Sequence, residues 1–205
     1  MLTICLILIY WIVKERLRQL LAQRQKRRIV DTGRVPSAVL VPIYQKRGQY
    51  YILFIKRTEK VKEHKGQISF PGGTREKGET LLETALRECA EETGLRTEDV
   101  EVLGELDDEV TTTSNYIVSP FVAVTPWPYK FKVNEDEVEE IIEIPISALL
   151  GKNCLHRDTE FLNGKAVDFY AYHYQGKVIW GATARILNRF LDIFTQALQD
   201  KSTAY

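Results

Sequence analysis

Hydrophobic residues recur at every second position in several short segments, and turn-forming residues separate these segments. An alternation with a period of two is typical of β-strands that bury one face. A turn near Gly48 joins the first two segments, and a turn around Gly176 joins the last two, which indicates a late hairpin. The predicted strands span residues 35–43, 50–56, 100–106, 117–125, 167–174 and 178–180.

Two other segments have the spacing of amphipathic helices. In residues 80–93 the apolar side chains fall on one side, and Gly94 follows as a typical C-terminal stop. Residues 182–198 repeat apolar side chains at helical spacing and predict a closing helix. Because strands and helices alternate along the chain, the pattern predicts an α/β layered fold.

The first 28 residues form a distinct segment. Residues 1–13 are almost all apolar, but a membrane-spanning helix needs about 20 such residues, and a secretory signal carries its positive charge before the apolar run. Residues 14–28 place Leu17, Leu20 and Leu21 among basic residues, which predicts an amphipathic helix. Three interpretations stay open: a helix packed on the domain or on the partner in a homodimer, a weak anchor to the inner membrane face through residues 1–28, or a later translation start.

The length and composition fit one domain. A chain of 205 residues with 44% hydrophobic and 27% charged residues is ordinary for a globular protein with a sizeable core. We expect residues 1–30 to form the N-terminal helical segment and residues 31–200 to form the main domain. Cys5, Cys89 and Cys154 are far apart, so the spacing indicates neither a disulfide framework nor a zinc site, and a reducing, cytoplasmic compartment is the expectation.

The charge is unevenly distributed, although 28 Lys and Arg residues balance 28 Asp and Glu residues. Residues 1–28 hold seven basic residues and one acidic residue, so the remainder carries a net charge of −6. An acidic body binds nucleic acid poorly, and we therefore expect no nucleic-acid partner. Such a body suits the binding of cations where its acidic residues cluster.

An acidic cluster lies on the predicted helix of residues 80–93. Glu88, Glu91 and Glu92 share one face of that helix, where like charges repel. A hard divalent cation such as Mg²⁺, which prefers carboxylate oxygens, would offset the repulsion. Because the opposite side of the helix is apolar, the acidic side chains need not be buried. Upstream, Glu79 lies near the helix start, where the helix dipole favours an anion, and Arg87 can pair with Glu91 four residues on.

The segment of residues 73–95, GTREKGETLLETALRECAEETGL, resembles the Nudix box. This resemblance implies a Nudix α/β/α sandwich with a mixed β-sheet, and a diphosphatase that depends on Mg²⁺ or Mn²⁺. It implies that Glu88, Glu91 and Glu92 bind the metal and that Arg87 orients the carboxylates. It also implies that Glu79 joins the metal network. The matching positions are Gly73, Glu79, Arg87, Glu88, Cys89, Glu91, Glu92, Gly94 and Leu95.

The residues before the box resemble the signature of bacterial coenzyme A diphosphatases, which split coenzyme A into 3′,5′-ADP and 4′-phosphopantetheine. This resemblance implies that Arg57, Lys62, Gly72 and Gly73 bind a CoA-like nucleotide. Residues 57–65 contain several basic side chains, which would attract the phosphates of an anionic substrate. The alternative is that these residues form a solvated basic loop without a role in binding. The matching positions are Leu53, Arg57, Gly66, Phe70, Pro71, Gly72 and Gly73, and the departing ones are Phe54, Ile55, Thr58 and Lys62.

The catalytic base stays open between three carboxylates. Many Nudix enzymes recruit a glutamate from a downstream loop, and Glu137 is the candidate here, in competition with Glu91 and Glu92. Trp180 and Thr183 are candidates for the wall of the pocket, although Trp180 is a typical core residue. Two other functions stay open: hydrolysis of another nucleoside diphosphate derivative such as ADP-ribose, and a Nudix-fold binding module without catalysis.

Overall fold

The computed structural model describes residues 2–31, 33–60, 64–112, 114–162 and 165–199. The helices are α1 (Leu2–Gln23), α2 (Leu81–Thr93), α3 (Ile146–Leu149) and α4 (Gly181–Gln199). The strands are β1 (Val35–Lys46), β2 (Gln49–Arg57), β3 (Ile68–Ser69), β4 (Gly72–Thr74), β5 (Glu101–Glu105), β6 (Glu109–Val110), β7 (Tyr116–Val124), β8 (Val138–Pro145), β9 (Leu155–Leu162), β10 (Lys165–Tyr174) and β11 (Lys177–Trp180).

The central sheet has eight strands, and its directions are mixed. Strands β1 and β7 run parallel, whereas β2, β4, β5, β6 and β8 join the sheet through antiparallel pairs. Strands β9, β10 and β11 form a second, antiparallel sheet. The mixed sheet that the sequence led us to expect is therefore confirmed.

Helices cover both faces of the central sheet. Along β1, Val41 and Ile43 point into the core that α1 and α4 share. Ala38 and Leu40 point to the other face, where they pack against α2. Successive residues of a strand face opposite sides, so one strand serves both cores. This arrangement is the expected α/β/α sandwich.

Helix α1 packs on the domain through its second half. Val13, Leu17 and Leu21 are buried in the same core as α4. The helix lies close to β5, because a Cβ atom added at Gly104 would be only 2.8 Å from the Cβ atom of Leu21. Within the part of the chain that the structure describes, we find no helix long and apolar enough to cross a membrane.

After α1, residues 24–30 run as an extended segment along an acidic turn between β5 and β6. The predicted helix over residues 14–28 therefore ends at Gln23, and the basic residues beyond it form ion pairs instead of a helical face. The backbone N–H of Ile29 donates to a carboxylate oxygen of Asp108 at 2.9 Å. Lys26 pairs with the same Asp108 carboxylate at 3.2 Å.

Candidate active site

Two consecutive glycines bring strand β4 close to its neighbours. Gly72 has φ +156°, and a Cβ atom there would lie 2.3 Å from the carbonyl oxygen of Ala38 in β1. At Gly73 a Cβ atom would lie 2.4 Å from the carboxylate of Glu88. At Gly72 the clash is with the backbone of β1, so the close pairing of β4 with β1 requires glycine there, whereas at Gly73 the Glu88 carboxylate would have to move.

Helix α2 starts and ends with well-formed caps. The Thr80 side chain accepts a hydrogen bond from the Glu83 N–H, and the Glu83 carboxylate accepts from the Thr80 N–H at 2.7 Å, which completes a capping box. At the other end Gly94 has φ +72°, and its N–H donates to the Ala90 carbonyl at 2.9 Å. The helix and its glycine stop were both predicted from sequence, and both caps fix the rotation of the acidic face.

The Arg87 guanidinium contacts three carboxylates. Its Nε donates to Glu79 at 2.6 Å, and its Nη1 donates to Glu88 at 3.0 Å and to Glu91 at 3.1 Å. A further donor reaches the carbonyl oxygen of Thr74 at 3.2 Å. The hydrogen bond from Arg87 holds the pKa of Glu79 down at about 2. Glu79 is therefore a fixed anion at the helix start.

Glu92 is buried, although the apolar opposite face of the helix means that the sequence did not require it. Its side chain is only 1% exposed, with one oxygen 2.9 Å from the Gly72 N–H and the other 3.3 Å from Arg57 Nη1. Burial raises the pKa of Glu92 to about 8 even though Gly72 and Arg57 act in the opposite direction, and the charges of Glu88 and Glu137 add to the rise. The pKa of Glu88 is likewise raised by burial.

These carboxylates offer the hard oxygen ligands that Mg²⁺ or Mn²⁺ prefers. Glu88 and Glu92 face one cleft, where their mutual repulsion would be offset by a cation. Glu91 faces away towards Arg87, and its side chain is 55% exposed. Among the described residues no three acidic, histidine or cysteine side chains converge as a ready-made metal site. The donor chemistry thus fits a divalent cation, and the three-ligand set of Glu88, Glu91 and Glu92 remains a prediction.

The cleft that Glu88 and Glu92 face has a volume of about 900 Å³, which is enough for a nucleotide-sized ligand. Residues from β1, the segment around β3 and β4, α2, the turn before β8 and the start of α4 line it. Polar members include Arg57, Lys60, His64, Gln67, Thr111, Thr112, Asp136 and Thr183, and apolar members include Val39, Phe70, Val118, Ala182 and Ile186.

Basic side chains also line the cleft. Arg57 stands at an irregularity in the pairing of β2 with β8 and contacts Glu92. Lys60 pairs with Asp136 at 3.1 Å, and the His64 ring contacts Gln67 at 3.0 Å. Lys62, another candidate for binding the substrate, lies outside the described residues.

Glu137 lines the cleft from a turn that is fastened to β2. Its carbonyl oxygen accepts from the Thr58 N–H at 2.9 Å, and the Thr58 hydroxyl donates to the Asp136 carbonyl at 2.9 Å. The same loop reaches α2, because the Asn134 N–H donates to the Glu92 carbonyl at 3.2 Å. A downstream carboxylate is thus held beside the box helix, where Glu137 raises the pKa values of both Glu88 and Glu92.

Trp180 and Thr183 line the same cleft. The expectation that Trp180 is a core residue was wrong, because its side chain is 37% exposed at the end of β11. Sequence reasoning did not identify Gln67, Thr111 or Thr112 as cleft residues. They come from loops without hydrophobic periodicity, and only the tertiary fold brings them to the box helix.

Comparisons with known proteins identify one family whose members resemble this chain. The family model for the NUDIX domain matches residues 34–163. A protein of Photorhabdus laumondii subsp. laumondii, named Uncharacterized Nudix hydrolase NudL, is 34% identical over 164 residues, which cover 80% of this chain and 86% of the relative. A protein with the same name from Yersinia enterocolitica is 34% identical over 154 residues, which cover 75% of this chain and 78% of the relative.

A solved structure supports the fold. The crystal structure of a MutT/nudix family protein from Enterococcus faecalis superimposes with a TM-score of 0.50 at 17% sequence identity. The match covers 87% of this chain and 71% of the other.

Proposed function

This chain belongs to the Nudix family and is a Nudix diphosphatase, and from that premise we propose that its substrate is coenzyme A or an acyl-CoA. The products are 3′,5′-ADP and 4′-phosphopantetheine or its acylated form. The observation that carries the proposal is the cleft that Glu88 and Glu92 line together with Arg57, Lys60 and His64. It presents acidic groups for a cation and basic groups for several phosphates.

The acidic side of the cleft would hold the metal. Glu88 and Glu92 already face the cleft, and Glu91 lies one position from Glu92 on the same helix. Glu91, which accepts a hydrogen bond from Arg87, would be the third ligand. A bound Mg²⁺ or Mn²⁺ supplies charge neutralisation on the phosphate oxygens and lowers the pKa of water.

The remaining residues bind and orient. Arg57 and Lys60 supply positive charge for the diphosphate, and the Arg57 fork can meet two phosphate oxygens at once. Glu137 is the proposed acceptor of the proton from the attacking water, because it lines the cleft on a turn fixed by Thr58. Arg87 holds Glu79 and Glu88 in place and does not line the cleft itself.

The apolar part of the cleft supports a substrate with a long, uncharged arm. Val39, Phe70, Val118 and Ile186 belong to the cleft wall. With a nucleoside diphosphate alone these apolar side chains would stay exposed to water, whereas the pantetheine arm of coenzyme A would cover them. Relatives that share the fold do not decide the substrate, and the cleft composition is the support for coenzyme A.

A product assay tests the proposal. The purified protein is incubated separately with coenzyme A, ADP-ribose and NADH, each with Mg²⁺ or Mn²⁺, and the products are separated by chromatography. We expect metal-dependent release of 3′,5′-ADP from coenzyme A, with loss of that release in Glu91→Gln. Glu98→Gln, which removes an exposed carboxylate distant from the cleft, is the matched control. Turnover of ADP-ribose or NADH without turnover of coenzyme A would contradict the proposed substrate.

A further inference from the structure

A second cleft adjoins the first. It has a volume of about 610 Å³ and lies between the segment that leads into β3 and the β10–β11 turn. Gln67 and Trp180 line both clefts, so the two volumes meet at these side chains. The other lining residues are Lys56, Lys65, Gly66, Ile68, Gln175, Gly176, Lys177 and Val178.

This second cleft is basic. Three lysines, Lys56, Lys65 and Lys177, belong to its wall, and no carboxylate stands among the described residues that line it. Lys56 and Lys177 pair with Glu139 and Glu140, each at 2.6 Å. Both glutamates lie on β8 and are not among the residues that line the cleft. A third carboxylate, that of Glu59, approaches the cleft wall at Gly66, where a Cβ atom would lie 2.6 Å from it.

The lysines are available to an incoming anion. In the described part of the structure Lys65 has no ion-pair partner, and its side chain is exposed. The pairs of Lys56 and Lys177 are partly exposed, and exposed pairs contribute little to stability. A phosphate group, which carries more charge than a carboxylate and accepts several hydrogen bonds, can therefore replace Glu139 or Glu140 as the partner.

The position of the second cleft matches the chemistry of one substrate class. That class is the nucleotides that carry both a diphosphate and a second, singly esterified phosphate on the ribose. The two phosphate groups lie close together on the same ribose, so a site for the single phosphate must adjoin the cleft where the diphosphate is cleaved. Trp180, which is 37% exposed at the junction, offers an aromatic face between the two clefts. When the diphosphate lies in the first cleft, the adenosine can extend over Trp180 and place its ribose phosphate among the lysines of the second cleft.

We infer that the lysine-lined cleft beside Trp180 is an anion subsite that binds a ribose phosphomonoester outside the cleaved diphosphate. The inference rests on the proposed function, in which that group is the 3′-phosphate of coenzyme A. It makes Lys65 a specificity-determining residue, while the acidic residues of α2 serve the reaction itself.

Paired substrates test the subsite. The value of kcat/KM is measured for coenzyme A and for dephospho-coenzyme A, which lacks only the 3′-phosphate, and the ratio of the two values is the readout. We expect the wild-type ratio to favour coenzyme A, and Lys65→Ala to lower the ratio about tenfold, as for loss of a hydrogen bond to a charged group. Lys65→Arg keeps the charge and should keep most of the preference. Lys152→Ala is the matched control, since Lys152 is exposed and lies outside both clefts.

The outcomes separate this inference from the proposed function. Equal turnover of both substrates by the wild type, or an unchanged ratio in Lys65→Ala, would overturn the subsite and leave the coenzyme A proposal intact. NADPH and NADH form a second pair that differs by one ribose phosphate. If coenzyme A is not hydrolysed but NADPH is preferred over NADH in a Lys65-dependent way, the proposed substrate fails and the subsite stands. With no phosphate preference in either pair, the subsite fails.

Discussion

Arg87 connects residues that lie up to 13 positions away from it in the sequence. Through one planar group it contacts Glu79, Glu88 and Glu91, and it also reaches the Thr74 carbonyl at the end of β4. A guanidinium has five donors in a fixed plane, whereas an ammonium group is a compact point charge. The arrangement therefore depends on the shape of the arginine as well as on its charge.

Arg87→Lys is expected to lower kcat by about 10²-fold, a loss of the size that a misplacement of roughly 1 Å causes in catalytic groups. The lysine keeps the charge but cannot hold Glu79, Glu88 and Glu91 together. Steady-state kinetics with saturating Mg²⁺ measure the effect. Arg75→Lys is the control, because Arg75 is exposed in the loop before α2. Activity near the wild-type level in Arg87→Lys would show that the carboxylates do not need this contact.

Thr58 stabilises the turn that carries Glu137. Thr58→Ala removes the hydroxyl that donates to Asp136 at 2.9 Å, and the site is 7% exposed, so the carbonyl loses a partner without gaining water. We expect the free energy of unfolding to fall by about 1 kcal/mol, the typical value of one hydrogen bond, and kcat to fall with it. Urea denaturation and kinetics measure both. Thr58→Ser retains the hydroxyl and should recover kcat; if it does not, the hydroxyl is not what positions Glu137.

At the scale of single elements, strand β8 shows where sequence patterns are insufficient. Residues 135–143 are rich in acidic residues, a composition that is typical of a solvated surface. The strand nevertheless buries Val138, Ile142 and Ile144, and pairs with β2 at the edge of the sheet. Its acidic residues stay on the outside, where Glu139 and Glu140 meet lysines. Edge strands tolerate such charge, so a strand could not be predicted here from the acidic composition.

Helix α2 was predictable for the opposite reason. Its apolar face, its capping residues and its glycine stop all predict the same helix. The helical period alone places Glu88, Glu91 and Glu92 on one face of it. The burial of Glu92 was not predictable, because it depends on Gly72 and Arg57, which approach from β4 and β2. The local sequence pattern determines which residues share a face of the helix, whereas tertiary contacts determine which of those residues are buried.

Helix α1 allows a prediction of its own. Leu17 is fully buried in the core that α1 shares with α4. Leu17→Ala should lower the free energy of unfolding by about 2–5 kcal/mol, as large-to-small substitutions in a core do. Chemical denaturation measures the loss, and Gln19→Ala on the exposed side of the same helix is the control. Equal stabilities of the two variants would show that α1 does not contribute to the core in solution.

Across the whole molecule, the uneven charge seen in the sequence is partly resolved by the fold. The basic N-terminal segment and the acidic body are not independent surfaces, because Lys14 pairs with Glu101 at 3.1 Å and Arg24 pairs with Asp107 at 3.0 Å. Lys26 pairs with Asp108, and Arg28 lies 3.6 Å from Glu105. Ion pairs along β5 and the turn that follows it therefore neutralise much of the basic N-terminal segment locally.

This neutralisation leads to a prediction for lipid surfaces. A lysine or arginine near an anionic membrane contributes about 1 kcal/mol to binding when it is free. Since Lys14 and Arg18 already share Glu101, and the Lys14 side chain is only 16% exposed, we expect binding to vesicles to show no increase between neutral phosphatidylcholine and mixtures that contain phosphatidylserine. Vesicle co-sedimentation of the full chain measures this dependence.

Glu101→Gln provides the matched comparison, because it releases Lys14 and Arg18 from their shared partner. The variant should bind anionic vesicles more strongly than the wild type does, and the gain should fade at high salt because the attraction is screened. Glu98→Gln changes the net charge equally, but Glu98 pairs with Arg96 after α2 and not with the N-terminal segment that the structure describes, so this variant should leave binding unchanged. Strong wild-type binding that rises with the phosphatidylserine content would instead mean that the basic segment is free to contact lipid, and the hypothesis of a membrane anchor would gain its first physical support.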